Sequence, residues 1–286
     1  MSHDCISQRK DVWTGVGTTL ENRQIADSTW KISIEAPEFA ARVESGKFVM
    51  LRLAAGDDPL LGRPFAIYDA DKTSGRVEVV YAVVGKGTTR LTTLRPGDPI
   101  RLWGPLGNGW AEALCGQTPK NLVLVAGGVG NAPFYLLIKE QLEAAKKDPA
   151  NAPKLTFVFG ARSAERLSCV DDFRALGVDV RLATEDGSAG TKGFVTDVFP
   201  EILPDDVASE GVRLLCCGPH PMLKAVAKYS EARGFECWTS LESPMACGLG
   251  ICFSCVVDWK TDDGTWDYKR TCADGPVFDA SRLRWD

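Results

Sequence analysis

Four cysteines near the C-terminus stand at a spacing that can do redox chemistry. The stretch Met245-Ala-Cys-Gly-Leu-Gly-Ile-Cys-Phe-Ser-Cys255 sets Cys247, Cys252 and Cys255 at C-x4-C-x2-C, and Cys272 follows in Lys-Arg-Thr-Cys272. Four thiolates at this spacing suit a plant-type [2Fe–2S] cluster. Gly248 and Gly250 allow a tight loop without β-carbons, so that backbone N–H groups can point at sulfur. Zinc is one alternative, but structural zinc sites usually offer two short knuckles and only Cys252 and Cys255 form one. Disulfides or inert core thiols are the others, and nothing in the chain suggests secretion.

Two segments in the first hundred residues could hold a phosphate-bearing ring. Leu61-Gly-Arg63-Pro64-Phe65-Ala66-Ile67-Tyr68 puts a fixed extended backbone beside a cation. Gly85-Lys-Gly87-Thr88 ends a strand and opens a short helix, where free N–H groups make a pyrophosphate seat. A surface arginine and an ordinary turn are the plain alternatives. Further on, Asn121-Leu-Val-Leu-Val-Ala runs into Gly127-Gly128-Val-Gly130-Asn-Ala-Pro133 and an amphipathic helix from Phe134. Strand, glycine turn and helix form a nucleotide-binding unit, although the glycines depart from G-x-G-x-x-G. Cys217-Gly218-Pro219 ends a later apolar strand, where a plain buried thiol is the alternative reading.

The elements that must position these groups fall into two rhythms. Residues 30–35, 47–53 and 76–84 alternate with period two between turn residues, which predicts a small antiparallel barrel over about 11–110. From Lys120 onward, apolar strands at 121–126, 154–160, 178–184 and 212–217 alternate with helices, which predicts a doubly wound parallel sheet. The expected fold class is therefore multidomain α/β plus β: barrel 8–112, parallel-sheet domain 118–237 and a small cluster domain 238–286. With 286 residues there is length for two or three cores. A net charge of −5 argues against nucleic acid or an anionic membrane as the main partner. No apolar run reaches transmembrane length and Met1 to Thr14 carries no hydrophobic h-region, so a cytoplasmic protein is expected. The remaining cysteines, Cys5, Cys115, Cys169, Cys216, Cys217 and Cys237, are expected mostly as small buried hydrophobes. With only His3 and His220 present, histidine-based catalysis has few candidates.

The barrel motifs resemble the flavin-binding barrel of the ferredoxin–NADP reductase superfamily. That resemblance implies FAD, with Arg63, Pro64, Phe65, Ala66 and Ile67 along the isoalloxazine, Tyr81 and Val83 continuing the wall, and Gly85, Gly87 and Thr88 at the pyrophosphate. Ala66 stands where that family usually has serine or threonine. The resemblance extends to a nicotinamide domain, with Gly127, Gly128, Gly130, Pro133, Gly218 and Pro219 as binding residues and Cys217 near the ring. Together with Thr184–Asp197, Ser240–Gly250 and Cys272–Asp279, nearly the whole chain is similar to the electron-transfer subunits of class 1B dihydroorotate dehydrogenases. It implies an order of electron flow from a partner's FMN through [2Fe–2S] and FAD to NAD+, in pyrimidine biosynthesis. It also implies a heterotetramer with two FMN-containing catalytic subunits. Glu242, just ahead of the cluster loop, is expected to help manage a flavin proton, or else to be a surface carboxylate. The cluster segment is too short to fold alone and is expected to pack on a partner. The nearest rival is another flavin/iron–sulfur reductase, serving ferredoxin, in which one cluster ligand is commonly aspartate.

Overall fold

The computed structural model describes residues 12–116, 118–204 and 211–285. His3, Cys5 and the expected domain start at residue 8 lie outside the described residues. Six antiparallel strands close a barrel in the order β1-β2-β5-β4-β3-β6: β1 Trp13–Ala26, β2 Thr29–Glu35, β3 Phe48–Leu53, β4 Arg63–Asp71, β5 Arg76–Ala82 and β6 Pro99–Leu106. Alternate residues such as Ile32, Ile34, Val49, Leu51, Val77, Val79, Ile100 and Leu102 fill its interior. The short helices α1 Pro37–Ala40 and α2 Lys86–Leu91 add Phe39 and Leu91 to the same core. Strand β1 carries no clean alternation in sequence because its second half is polar. Its first half pairs with β6 and its second with β2, so this one long strand closes the barrel.

The parallel domain follows as β7 Asn121–Gly127, α3 Ala132–Lys147, β8 Lys154–Ala161, α4 Val170–Ala175, β9 Asp179–Thr184, β10 Thr191–Lys192, α5 Phe199–Ile202, β11 Val212–Cys217, α6 His220–Arg233 and β12 Glu236–Ser240. The hairpin β13 Val256–Lys260 and β14 Trp266–Arg270 comes next, then β15 Val277–Asp279. The large sheet has the order β10-β9-β8-β7-β11-β12-β15, with only β15 antiparallel. The expected boundary at 238 therefore needs correcting. It cuts β12, whose five residues pair in register with Arg213–Cys217 of β11. The cluster segment runs between β12 and β15, two paired strands of this sheet. Part of its packing comes from within the chain: Cys255 and Cys272 bury against Phe48, Met50 and Leu106 of the barrel. Among the described residues no helix is long and apolar enough to cross a membrane.

Barrel and sheet share one core. Tyr68 and Val80 from the barrel pack with Leu122, Phe134, Phe157, Leu215 and Cys217. Trp110, which follows β6, is fully buried, stacks on Phe134 at 5.3 Å and donates from Nε1 to the Pro133 carbonyl at 3.1 Å. A Trp110→Ala variant leaves a cavity at this joint and removes the indole's hydrogen bond across it. It should lose about 3–5 kcal/mol, read as a lowered midpoint in denaturant unfolding.

Candidate functional site

A cavity of about 520 Å³ opens where barrel, sheet and cluster segment meet. One wall is Arg63, Pro64, Phe65 and Ala66 of β4 with Val80, Tyr81 and Ala82 of β5. The Gly85–Thr88 turn forms one end, and Cys217, Ser240, Leu241 and Glu242 face the barrel from the sheet. The Arg63 guanidinium donates to the Leu61 carbonyl at 2.6 Å and lies over Gly87, where an added Cβ would come within 3.2 Å of Nε. Gly87 thus gives the arginine room to lie close against the turn. The Thr88 hydroxyl is already engaged: it accepts from the Val84 and Gly85 N–H groups and donates to the Gly85 carbonyl. It braces the turn, and those two amides are not free for a phosphate.

Two expected wall residues point elsewhere. Ile67 and Val83 belong to the barrel interior, and neither lines the cavity. Ile67 and Val83 pack in the same barrel cluster as Phe65 and Tyr81, but of these four only Phe65 and Tyr81 also reach the cavity. Val80, missed in the sequence, lines the cavity beside Tyr81 and Ala82.

On the sheet side, Gly127, Gly128, Gly130, Pro133, Gly218 and Pro219 do not themselves line the cavity, whereas Val129, Ala132 and Cys217 do. The glycines serve close approach between two turns. A Cβ on Gly130 would lie 2.2 Å from the Cys217 carbonyl oxygen, and one on Gly127 would lie 2.6 Å from Met222 Sδ. The turns after β7 and β11 are thereby pressed together at the carboxyl ends of adjacent parallel strands, the usual ligand crevice of such sheets. Cys217 is buried and stands in register with Ser240 of β12. Burial, reinforced by nearby Glu242, pushes its thiol well above the ordinary range, so it is a neutral group and not a thiolate nucleophile. Glu242 is exposed at the cavity edge, and the protein atoms crowding it there still raise its carboxyl above the usual carboxylate range by desolvation. Ser240 and Glu242 sit where they do because β12 continues from the sheet straight into the cavity. Sequence alone gives no sign that β12 exists there.

The cluster loop lies behind the cavity. Phe48 and Met245 belong both to the cavity wall and to the apolar layer under the cysteines. Gly248 and Gly250 have φ of +72°, and a Cβ on Gly248 would meet Met50 Cγ at 2.7 Å, so the loop can lie on the barrel only as glycine. Trp103 Nε1 donates to the Cys247 carbonyl at 3.1 Å, and Arg270 donates to the Gly250 carbonyl at 3.0 Å. The four thiols fall into two neighbouring pairs, Cys247 with Cys252 and Cys255 with Cys272. Backbone N–H groups aim at them: Leu249 at Cys247 Sγ (3.2 Å), Gly250 at Cys272 Sγ (3.1 Å) and Cys272 at Cys255 Sγ (3.4 Å). Hydrogen bonds from Ser254 hold the Cys252 thiol down to about 6, which favours the thiolate form that iron requires. Two pairs of sulfurs with N–H donors between them fit a two-iron centre. Among the described residues no three histidine, cysteine or carboxylate side chains gather as a single metal ion would need.

A closed flavin-type barrel, a doubly wound nicotinamide sheet and a paired-thiol loop define an oxidoreductase of the ferredoxin–NADP reductase build, carrying FAD, NAD and iron–sulfur binding units. Family models agree unit by unit. Residues 19–110 match the oxidoreductase FAD-binding domain, 124–228 the oxidoreductase NAD-binding domain, and 242–284 the iron–sulfur cluster binding domain of dihydroorotate dehydrogenase B. The dihydroorotate dehydrogenase B (NAD(+)) electron transfer subunit of Fusobacterium nucleatum is 36% identical over 264 residues, covering 92% of this chain and 96% of that one. The subunit of the same name from Geobacillus kaustophilus is 36% identical over 267 residues, 93% and 96% of the two chains. Among solved structures, an NADH-dependent reduced ferredoxin-NADP oxidoreductase superposes with a TM-score of 0.78 at 29% identity over 95% of this chain and 91% of that chain. A ferredoxin reductase of carbazole 1,9a-dioxygenase shares the fold at a TM-score of 0.64 and 17% identity, over 78% of this chain and 67% of that one. The chain belongs to the family of dihydroorotate dehydrogenase B electron transfer subunits.

A Glu242→Gln variant tests the cavity electrostatics. Because folding raises this carboxyl's pKa, the native state favours the protonated form. Its contribution is fully present below the unfolded value and is lost as pH rises through the folded one. The amide should therefore melt higher than wild type at neutral pH, and the difference should shrink below about pH 4 as Glu242 becomes protonated in the folded and unfolded states alike. Melting curves across pH check this.

Proposed function

We propose that this chain is the electron-carrying subunit of a two-subunit dihydroorotate dehydrogenase, delivering electrons from a partner's FMN to NAD+ in pyrimidine biosynthesis. One observation carries the reading. The paired-thiol loop and the cavity share Phe48 and Met245 as a common wall, so the two cofactor positions lie one side-chain layer apart. Bound FAD would supply the exchange between single electrons and hydride that iron–sulfur and nicotinamide chemistry require of each other.

The residues divide that work. Cys247, Cys252, Cys255 and Cys272 would hold the cluster, with Leu249, Gly250 and Cys272 donating backbone N–H groups to sulfur. Arg63 presents a fixed cation at the Gly85–Gly87 turn for a phosphate, and Pro64, Phe65, Ala66 and Tyr81 offer the flat apolar wall. Ala66 brings no hydroxyl to its place on the wall, and across the cavity Cys217 stays neutral and Glu242 holds a proton more readily than a free carboxyl. Those two are our candidates for the catalytic positions. Gly127, Gly128, Gly130, Pro133, Gly218 and Pro219 shape the nicotinamide crevice by packing.

The partner's docking face is supported by surface chemistry around exposed Cys252. Ile251, Phe253, Val256, Trp266 and Tyr268 all expose apolar surface on the cluster loop and its hairpin. Val256, Tyr268 and Trp266 lie on one face, because Val256 pairs with Arg270, Asp258 with Tyr268 and Lys260 with Trp266. We assign this face to an FMN-containing catalytic subunit, two of each chain in the assembly, in a cytoplasm that keeps the cluster thiols reduced. A ferredoxin-linked reductase is the second reading, favoured by the 0.78 TM-score to such an enzyme. The four cysteine ligands and the higher identity to the dihydroorotate relatives weigh against it.

Anaerobic co-purification with a dihydroorotate dehydrogenase catalytic subunit should give FAD and about two irons per chain. Dihydroorotate should bleach both only in the complex. Bleaching by reduced ferredoxin and never by dihydroorotate would move the chain to the second reading. Cys272→Ser should lose iron and keep FAD.

A further inference from the structure

The barrel and the nicotinamide sheet meet at a second contact, on the far side of Tyr68 from the cavity wall, and it is built from charge. Six ionic side chains make one unbroken row. Lys139 of α3 meets Asp69 of β4 at 2.7 Å, and Asp69 meets Arg76 of β5 at 3.8 Å. Arg76 then meets Glu78 at 2.9 Å, Glu78 meets Lys31 of β2 at 3.9 Å, and Lys31 meets Asp172 of α4 at 3.2 Å. The row begins and ends in the nicotinamide unit and crosses three barrel strands between. Its signs alternate throughout, so it is neutral as a whole. Its inner members are enclosed, the side chains of Asp69, Glu78 and Lys31 being 5%, 11% and 12% exposed.

Tyr68 completes the row. Its hydroxyl donates to the same Asp172 Oδ2 that receives Lys31, at 2.8 Å, and its ring stacks on Tyr135 of α3 at 4.5 Å. Burial keeps that hydroxyl protonated far beyond the ordinary range, so it remains a donor. The neighbouring Cys169 thiol, pushed up to about 11 chiefly by burial, is neutral and adds no charge.

Apolar surfaces can slide on one another at little cost, but a row of paired charges with an enclosed middle cannot. A shift of α4 along the barrel would take the acceptor from Lys31 and Tyr68 together, leaving the enclosed ammonium only the longer 3.9 Å contact to Glu78 and the buried hydroxyl without this partner. The row is also registered to the cavity. Tyr68 shares its core with Ala66 and Val80 on the barrel wall, and with Ala132 and Cys217 on the sheet wall.

We propose that Asp172 is a positioning residue, which, through Lys31 and Tyr68, fixes the nicotinamide sheet in register with the flavin barrel and so sets the separation across the cavity. The inference rests on the function proposed above only for what crosses that gap, hydride between nicotinamide and flavin.

The test uses the full chain purified with its cofactors. Asp172→Asn keeps the side-chain size and removes the charge. FAD and iron content should stay at wild-type levels, and amide exchange in α4 and β2 should quicken. The kcat for NADH-driven ferricyanide reduction should fall about ten- to a hundredfold, the scale of a misplaced reacting pair. KM for NADH should stay within about twofold, since no group that touches the nucleotide has changed. Asp172→Glu, which restores the charge on a longer arm, should recover part of the rate. If Asp172→Asn fails to accumulate, Tyr68→Phe removes one donor and should give the same split at smaller amplitude. Faster exchange with unchanged kcat would overturn the positioning role, and unchanged exchange would overturn the lock. A wild type that never oxidises NADH would instead sink the functional reading, while the exchange comparison would still decide the lock.

Discussion

A cluster-binding excursion between two sheet strands is too short to bury a core of its own, and the rest of this chain is arranged around lending it one. The contact is the loop glycine at 248 lying on Met50 of the barrel, with Phe48, Leu106 and Trp103 beside it. A side chain at that glycine would meet Met50 and also resist its left-handed backbone, so the loop would lift and the Trp103 hydrogen bond would go with it. Because both ends of the excursion, β12 and β15, pair in the nicotinamide sheet, the loop is tied to both domains at once. Asn108 adds a further tie, exchanging two hydrogen bonds with the backbone of Val277.

From that constraint the cavity follows. Pressing the loop on the barrel brings Met245 and Glu242 to one rim, and the pairing of β11 with β12 brings Cys217 and Ser240 to the next. The groups gathered there are not ones that stability alone would choose. A carboxyl is partly desolvated without an ion-pair partner, and a thiol is sealed beside it. Elsewhere the chain pairs its enclosed charges, as the row from Lys139 to Asp172 does. The difference separates a site kept reactive from a contact kept rigid.

How much of this was legible in the sequence depended on distance along the chain. The cysteine ligands were readable because their spacing and their glycines are local. The barrel and parallel sheet were readable where strands alternate or run apolar, and β1 was not, since its second half faces solvent on both sides of the pattern. Ile67 and Val83 were assigned to the flavin wall by their place in a motif, and only the folded barrel shows that they stay in its core while Phe65 and Tyr81 reach the cavity. Thr88 and the glycines of both nucleotide turns have packing and bracing roles that only neighbours far away in sequence reveal, Cys217 for Gly130 and Arg63 for Gly87. The domain boundary at 238 failed for the same reason: β12 is recognisable as a strand of the sheet only once β11 lies next to it.

The central claim is that one loop and one cavity, separated by Phe48 and Met245, hold the two redox centres of this chain. The most direct measurement is anomalous diffraction at the iron edge from crystals of the cofactor-loaded protein. The account predicts two iron peaks at Cys247, Cys252, Cys255 and Cys272, with isoalloxazine density in the cavity lined by Ala66 and Cys217. A single metal peak, or flavin density outside that cavity, would contradict it.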